Sequence, residues 1–279
     1  ARQAKQFGYG TVVMQAGEDF GITCDWMSDI IRSIKAETGL AVTLSLGERS
    51  DEDLCAWKEA GANRYLLRFE SSDPELYRRI HPCRAGQALS DRIAMLQRLR
   101  AFGYEIGSGV MVGVPGQTYA MLATDIDTFR RLDLDMIGIG PFIVHPATPL
   151  GRSLAGTAIP EETALFSLAE ADQVPNTELM TYKAVALARL VCPQANIPST
   201  TALATLNLAQ GRELGLQRGA NTVMPNLTPP QYRQLYEIYP DKACVQESAG
   251  DCHGCMNARI QSIGRTPGIP CFQQGKVQR

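Results

Sequence analysis

Long apolar runs are missing from these 279 residues. None approaches the roughly 18 residues that a membrane-spanning helix needs, so a membrane span is not expected. A surplus of charge is missing as well. The 27 basic and 29 acidic residues leave a net charge of −2, which gives no electrostatic reason to expect nucleic acid or an anionic membrane as a partner. No basic-then-apolar leader stands before the first helical pattern. No low-complexity tract or obvious linker divides the chain, and its length suits one large domain as well as two. The eight cysteines do not have the spacing of a small secreted framework. Scattered among α/β patterns, they read as cytosolic thiols and metal ligands, and a cytoplasmic location is the expectation.

What is present is a repeated joint. Five times an amphipathic run ends in one glycine and a short apolar strand follows: at Gly8, Gly39, Gly61, Gly103 and Gly219. A left-handed glycine closes a helix, and repeated helix-to-strand joints mean βαβ units with a parallel sheet. Strands are expected over 10–16, 41–46, 64–69, 106–113, 136–142, 196–202 and 221–225. Helical patterns fall at Asp25 to Thr38, Asp51 to Ala60, a short one after Asp73-Pro74, Gln87 to Phe102, Gln117 to Leu132, Thr177 to Val191 and Pro229 to Tyr239. The stretch from Gly151 to Pro175 is the least patterned. Seven alternations are one short of a (β/α)₈ barrel of the TIM type. The competing doubly wound sheet would show a glycine-rich turn after its first strand, and Gln15-Ala16-Gly17-Glu18-Asp19 is not one. Because the chain opens at Ala1 inside a helical pattern, the first βα unit is expected upstream. Residues 1–239 are then barrel strands 2 to 8, and 240–279 a C-terminal extension packed on the barrel.

Chemistry in such folds sits at the C-terminal ends of the strands, which here carry Gln15, Glu18, Thr43, Ser45, Glu48, Arg68, Glu70 and Thr118. Arg68 and Glu70, at i and i+2, share a strand face and suit either a ligand carboxylate and amino group or a salt bridge to a neighbouring strand. The glycines of 107–113 leave room beside their strand for a flat ligand or for another backbone, and Pro115-Gly116-Gln117-Thr118 opens a helix whose free N–H groups favour an anion. Tyr232, Tyr236 and Tyr239 recur at helical spacing, a pattern commoner in cores than in binding surfaces. Cys244, Cys252 and Cys255 form C-x7-C-x2-C, a spacing that zinc and iron–sulfur sites both use, with His253, Cys271 or solvent available as a fourth ligand. Cys24, Cys55, Cys83 and Cys192 have no partner at ligand spacing.

In order along the chain, Gln15-Ala16-Gly17-Glu18-Asp19, Thr43-Leu44-Ser45-Leu46-Gly47-Glu48, Arg64 to Glu70, Gly109 to Thr118, Gly138 to Phe142, Asn196 to Ala202 and Met224-Pro225-Asn226 closely resemble the HydE family. These are radical S-adenosylmethionine maturases of [FeFe]-hydrogenase, in the biotin-synthase-like group. The resemblance implies a (β/α)₈ barrel that binds S-adenosylmethionine and a [4Fe–4S] cluster and generates a 5′-deoxyadenosyl radical. The radical acts on a small cysteine-bound iron–cyanide–carbonyl precursor of the di-iron subcluster, with other maturation proteins and an electron donor as partners. Carried over by position, Gln15, Gly17, Glu18, Asp19, Glu70, Arg92 and Tyr236 contact S-adenosylmethionine. Arg68, Thr200 and Thr201 hold the substrate carboxylate, while Met224 and Tyr239 line its cavity. Cys244, Cys252 and Cys255 match an accessory [2Fe–2S] or [4Fe–4S] site. The family's C-x3-C-x2-C loop is absent from these residues, so no catalytic residue is assigned within them and the cluster ligands are expected upstream. Two alternatives stay open: another biotin-synthase-like enzyme acting on an organic thiol or amino acid, and a non-catalytic barrel that binds S-adenosylmethionine.

Overall fold

The computed structural model describes residues 1–81, 88–157, 172–236 and 238–268. Five parallel strands, β1 (Thr11–Gln15), β2 (Ala41–Ser45), β3 (Arg64–Leu66), β4 (Glu105–Val112) and β5 (Met136–Pro141), lie side by side in chain order. A doubly wound sheet reverses its strand order partway across; this one does not, which is the winding of a barrel. Parallel bridges from Met136 to Asn196 and from Pro198 to Thr222 carry the same order through the two remaining predicted strand positions. Each of those strands shrinks to bridges. Thr200 already caps the helix Thr201–Leu206, and Pro225 has no N–H to give a ladder. All five joint glycines have φ between 72° and 116°, and Gly39 closes its helix in the left-handed conformation with its N–H on the Lys35 carbonyl.

Side-chain caps set the helix starts: Thr23 for Cys24–Thr38, Ser50 for Asp51–Glu59, Thr118 for Tyr119–Arg131 and Thr177 for Glu178–Val191. The fully buried Trp57, Tyr65, Phe69, Tyr104 and Phe129 fill the space between helices and sheet. Among the described residues no helix is long and apolar enough to cross a membrane.

Four departures from the sequence pattern matter for the site. The helix expected from Gln87 begins at Arg92, because Asp91 accepts the Ala94 N–H at 2.9 Å and caps it. That puts Arg92 at the helix start, beside the strand ends, rather than on a solvated flank. Second, the strand 64–69 ends at Leu66. Leu67 N–H bonds to Gly107 and Glu70 N–H to Gly109, so three steps on this strand span two on β4. The extra residue is a bulge that re-aims the side chains after it, and Glu70 takes φ 61°. Third, the helix expected over Pro229 to Tyr239 splits into Pro230–Arg233 and a 3₁₀ turn, Gln234–Tyr236. Tyr232 is 56% exposed, so the three tyrosines form no core stripe. Fourth, of the two alternatives for this glycine-rich strand, Gly109 accommodates neighbouring backbone: a Cβ there would lie 2.0 Å from the Gly138 carbonyl oxygen. Residues 158–171 of the least patterned stretch, Cys83 and Cys271 lie outside the described residues.

The C-terminal helix Ala249–Ser262 packs back on the barrel. Arg259 Nη1 donates to both carboxylate oxygens of Glu213 at 2.7 and 2.9 Å and to the Ala209 carbonyl, while Nη2 reaches the Leu208 carbonyl.

Candidate active site

The strand ends hold one densely connected polar group centred on Arg92. Its Nε donates to Glu48 Oε1 at 2.7 Å and its Nη2 to Glu18 Oε1 at 3.0 Å. Nη1 donates to the Arg68 carbonyl at 2.9 Å and lies 3.2 Å from His81 Nε2. His81 Nδ1 is 3.1 Å from the Tyr77 carbonyl, and its ring stacks on Tyr77 at 4.1 Å. An imidazole that donates from Nδ1 and accepts at Nε2 is neutral. Burial, reinforced by Arg92, pushes its pKa down to about 4. Glu48 Oε1 also accepts from Ser90 Oγ at 2.7 Å, and Glu18 Oε2 accepts the Glu48 backbone N–H at 3.0 Å. A Cβ on Gly47 would lie 2.4 Å from that same oxygen. Only a glycine there lets Glu18 approach.

Arg68 and Glu70 pair with each other, not across strands. Nη2 donates to Oε2 at 3.0 Å and Nε lies 2.9 Å from Oε1. The geometry leaves Arg68 Nε–H a buried donor with no acceptor aligned to it among the described residues. Burial pushes the Glu70 carboxyl above its ordinary range, against the pull of Arg68 and Arg92. The turn after Glu70 is held by Asp125, which is fully buried and whose Oδ1 accepts from the Ser72 N–H and hydroxyl, both at 2.6 Å. Burial lifts Asp125 to about 6.

The remaining residues extend this group. Tyr236 and Gln15 hydrogen-bond through their side chains, and burial raises the phenol against that bond. Tyr239 is raised by burial too, while its hydrogen bond to Thr205 and the charges of Arg212 and Arg68 oppose the rise. Thr201, Met224, Cys244 and Cys252 line one small cavity. Thr200 spends its hydroxyl on the Leu203 N–H at 3.4 Å, and Gly140 of β5 faces it at a contact distance only a glycine leaves comfortable. The Asp19 carboxylate accepts the Gly21 N–H at 2.9 Å, and Gly17 has open space where a side chain would be. At the start of the helix Tyr119–Arg131, Thr118 caps the Met121 N–H, and Gln117, fully buried, bonds Gly113 and Met111.

The cysteine trio is not gathered into a metal site. Among the described residues no three His, Cys, Asp or Glu side chains stand together at ligand distance. Cys252 is buried and takes a contact from Arg233 at 3.9 Å; burial and nearby Cys244 raise its pKa. Cys255 is exposed and engaged by Arg259 Nε at 3.4 Å. His253 is spent as well, with Nδ1 2.8 Å from the Tyr9 hydroxyl, Nε2 3.0 Å from Asn257, and its ring stacked on Phe7 at 4.5 Å. It is not free to act as a fourth ligand. Sequence reasoning did not assign Glu48 or His81 to the site. Glu48 was visible at a strand end, but nothing in its spacing pointed to Arg92, 44 residues away.

The sequence model of the radical SAM superfamily matches residues 1–129. The [FeFe] hydrogenase maturase subunit HydE of Thermotoga maritima is 46% identical over 268 residues, which are 96% of this chain and 70% of that protein. The 3-methylornithine synthase of Methanosarcina acetivorans is 26% identical over 265 residues, 94% of this chain and 67% of that one. The crystal structure of methylornithine synthase (PylB) superposes with a TM-score of 0.71 at 22% identity, over 96% of this chain and 72% of its own, so the two share a fold. With 46% identity spread over nearly the whole chain, the protein belongs to the HydE family of radical S-adenosylmethionine enzymes.

Proposed function

We propose that this HydE-type maturase binds the methionyl end of S-adenosylmethionine on Arg92 and a small carboxylate-bearing substrate beside Arg68. The carrying observation is the unequal grip on Arg92. Nε and Nη1 face part-buried partners, whereas Nη2 meets Glu18, whose side chain is 43% exposed. A ligand carboxylate displaces Glu18 from Nη2, and the freed Glu18 then faces the ligand's amino group. Gln15, Gly17, Asp19, Glu70 and Tyr236 complete the S-adenosylmethionine position. These residues fit S-adenosylmethionine, which when bound supplies the 5′-deoxyadenosyl radical that the family uses. The [4Fe–4S] cluster has no three-cysteine loop within these 279 residues, so no step is assigned through it. The accessory iron–sulfur site does not fit the cysteines as arranged. It requires Cys255 to leave Arg259 and join the cavity shared by Cys244 and Cys252.

For substrate, Arg68 with Thr200 and Thr201 holds the carboxylate and Met224 and Tyr239 are the walls; the buried Arg68 Nε–H, 2.9 Å from Glu70 but not aligned to it, supports that reading. The reading is a cysteine-bound iron–cyanide–carbonyl species, processed in concert with other hydrogenase maturation proteins and an electron donor. Arg68→Ala tests it by calorimetry with L-cysteine and S-adenosylmethionine. Losing a charge-assisted bond worth ~1.5–3 kcal/mol weakens L-cysteine and spares S-adenosylmethionine. Equal weakening of both would move Arg68 into the cofactor site.

A further inference from the structure

The loop between β1 and the helix Cys24–Thr38 carries Glu18, and its residues 17–21 are exposed. The sheet's last bond to it is the Ala16 N–H on the Ser45 carbonyl at 3.0 Å. Further along, the Glu18 carboxylate ties itself to the Glu48 N–H, but a carboxylate that turns to a ligand cannot also hold its own loop. Arg49 supplies the remaining tie. It is buried and donates to three backbone carbonyls: Nε to Leu46 at 3.3 Å, Nη1 to Ile22 at 3.2 Å and Nη2 to Asp19. Leu46 directly follows β2 on firm ground, since its side chain is buried and the buried Tyr65 donates its hydroxyl to the Gly47 carbonyl at 2.8 Å. Asp19 and Ile22 lie in the loop, on either side of Phe20-Gly21. The Phe20 and Trp57 rings lie 5.7 and 5.6 Å from the guanidinium carbon.

We propose that Arg49 is a positioning residue of the S-adenosylmethionine site. It fixes the 18–22 loop against the end of β2, so that Glu18 stands where it meets Arg92 and then the ligand's amino group. The inference rests on the reading of Arg92 and Glu18 given above and adds the group that sets their spacing. Bonds from one planar fork define direction as well as distance, and a group displaced by about 1 Å can lose most of its effect on a bound reactant. All three guanidinium nitrogens are spent on backbone, so Arg49 acts through Glu18 and not on the ligand itself.

Calorimetric titration with S-adenosylmethionine, a readout that needs no turnover, tests it in the parent, Arg49→Met, Glu18→Ala and the double variant. Methionine keeps an apolar stem beside Phe20 and Trp57, and the freed carbonyls of an exposed loop can take water, so Arg49→Met should fold. It should bind S-adenosylmethionine at least about tenfold more weakly than the parent, as a displaced Glu18 implies. Amide exchange of residues 17–22 should rise while β2 keeps its protection. In the Glu18→Ala background the same substitution should cost less than about twofold, because the side chain that Arg49 places is gone. Unchanged affinity or unchanged exchange of 17–22 in Arg49→Met overturns the proposal. So does an equal loss in both backgrounds, which is what a general loosening of the fold would give. If Arg49→Met does not fold, Arg49→Lys decides, since it keeps the charge and loses the fork; parental affinity there is the contradicting result. Arg92→Ala separates the proposal from the reading beneath it. If that variant binds like the parent, both fall; if it binds weakly and Arg49→Met does not, only the role of Arg49 falls.

Discussion

His81 and Asp125 titrate in opposite senses. The unfolded chain protonates a histidine near its ordinary 6.5, whereas folded His81 stays neutral down to about 4. The unfolded state therefore binds more protons between those values, and stability falls as pH drops from 6.5 to 4. Asp125 contributes the opposite slope over much of that range, so His81→Gln should become more stable at pH 4 relative to pH 6.5 than the parent is, as read from urea midpoints across the pH series. A slope equal to the parent's would mean that His81 does not carry it. Asp125 is the reverse case: its ordinary value is 3.8 and the fold raises it to about 6. Stability contributed by its protonated form is lost as pH rises through that window. Asp125→Asn keeps an oxygen for both Ser72 bonds and removes the charge, so the loss between 3.8 and 6 should disappear.

At the scale of elements, glycine positions separate close approach from open loop. Gly109→Ala puts a Cβ 2.0 Å from the Gly138 oxygen, where β4 and β5 meet backbone to backbone. Neither strand can retreat without breaking the ladder, so the variant should lose several kcal/mol or fail to fold, on the order of the overpacking cost. Gly17→Ala meets nothing within 4 Å and should change stability by no more than about 0.5 kcal/mol. Chemical denaturation of the two variants checks the contrast. The helix-to-strand rhythm was legible in the sequence because each joint glycine and each apolar stripe is a local signal, and all five joints have the backbone they imply. What stayed illegible was tertiary. The bulge before Glu70 is set by pairing with β4, and the grip of Glu48 and His81 on Arg92 joins segments 44 and 11 residues apart. C-x7-C-x2-C spacing likewise says nothing of where Arg259 turns one thiol.

On the scale of the whole molecule, the C-terminal helix is tied to the barrel at two points: Arg259 on Glu213 and the 208–209 carbonyls, and His253 on Tyr9 and Phe7. Removing Arg259 leaves the Glu213 carboxylate, 13% exposed, without its partner, a loss of a few kcal/mol for a part-buried pair. Arg259→Ala should raise amide exchange across 249–262 while β1 to β5 keep their protection. Uniform exchange across the chain would mean that the helix and barrel open as one unit.

The role proposed for Arg92 is to anchor S-adenosylmethionine in a radical enzyme. The most direct measurement is 5′-deoxyadenosine released by the protein that includes the C-x3-C-x2-C loop expected upstream of these residues, anaerobically reconstituted with iron and sulfide and reduced with dithionite, as a function of S-adenosylmethionine concentration. The parent should release it, and Arg92→Ala should need at least about tenfold more S-adenosylmethionine for half the maximal rate, the factor for ~1.4 kcal/mol. No release from the reconstituted parent, or an unchanged concentration dependence in Arg92→Ala, would contradict it.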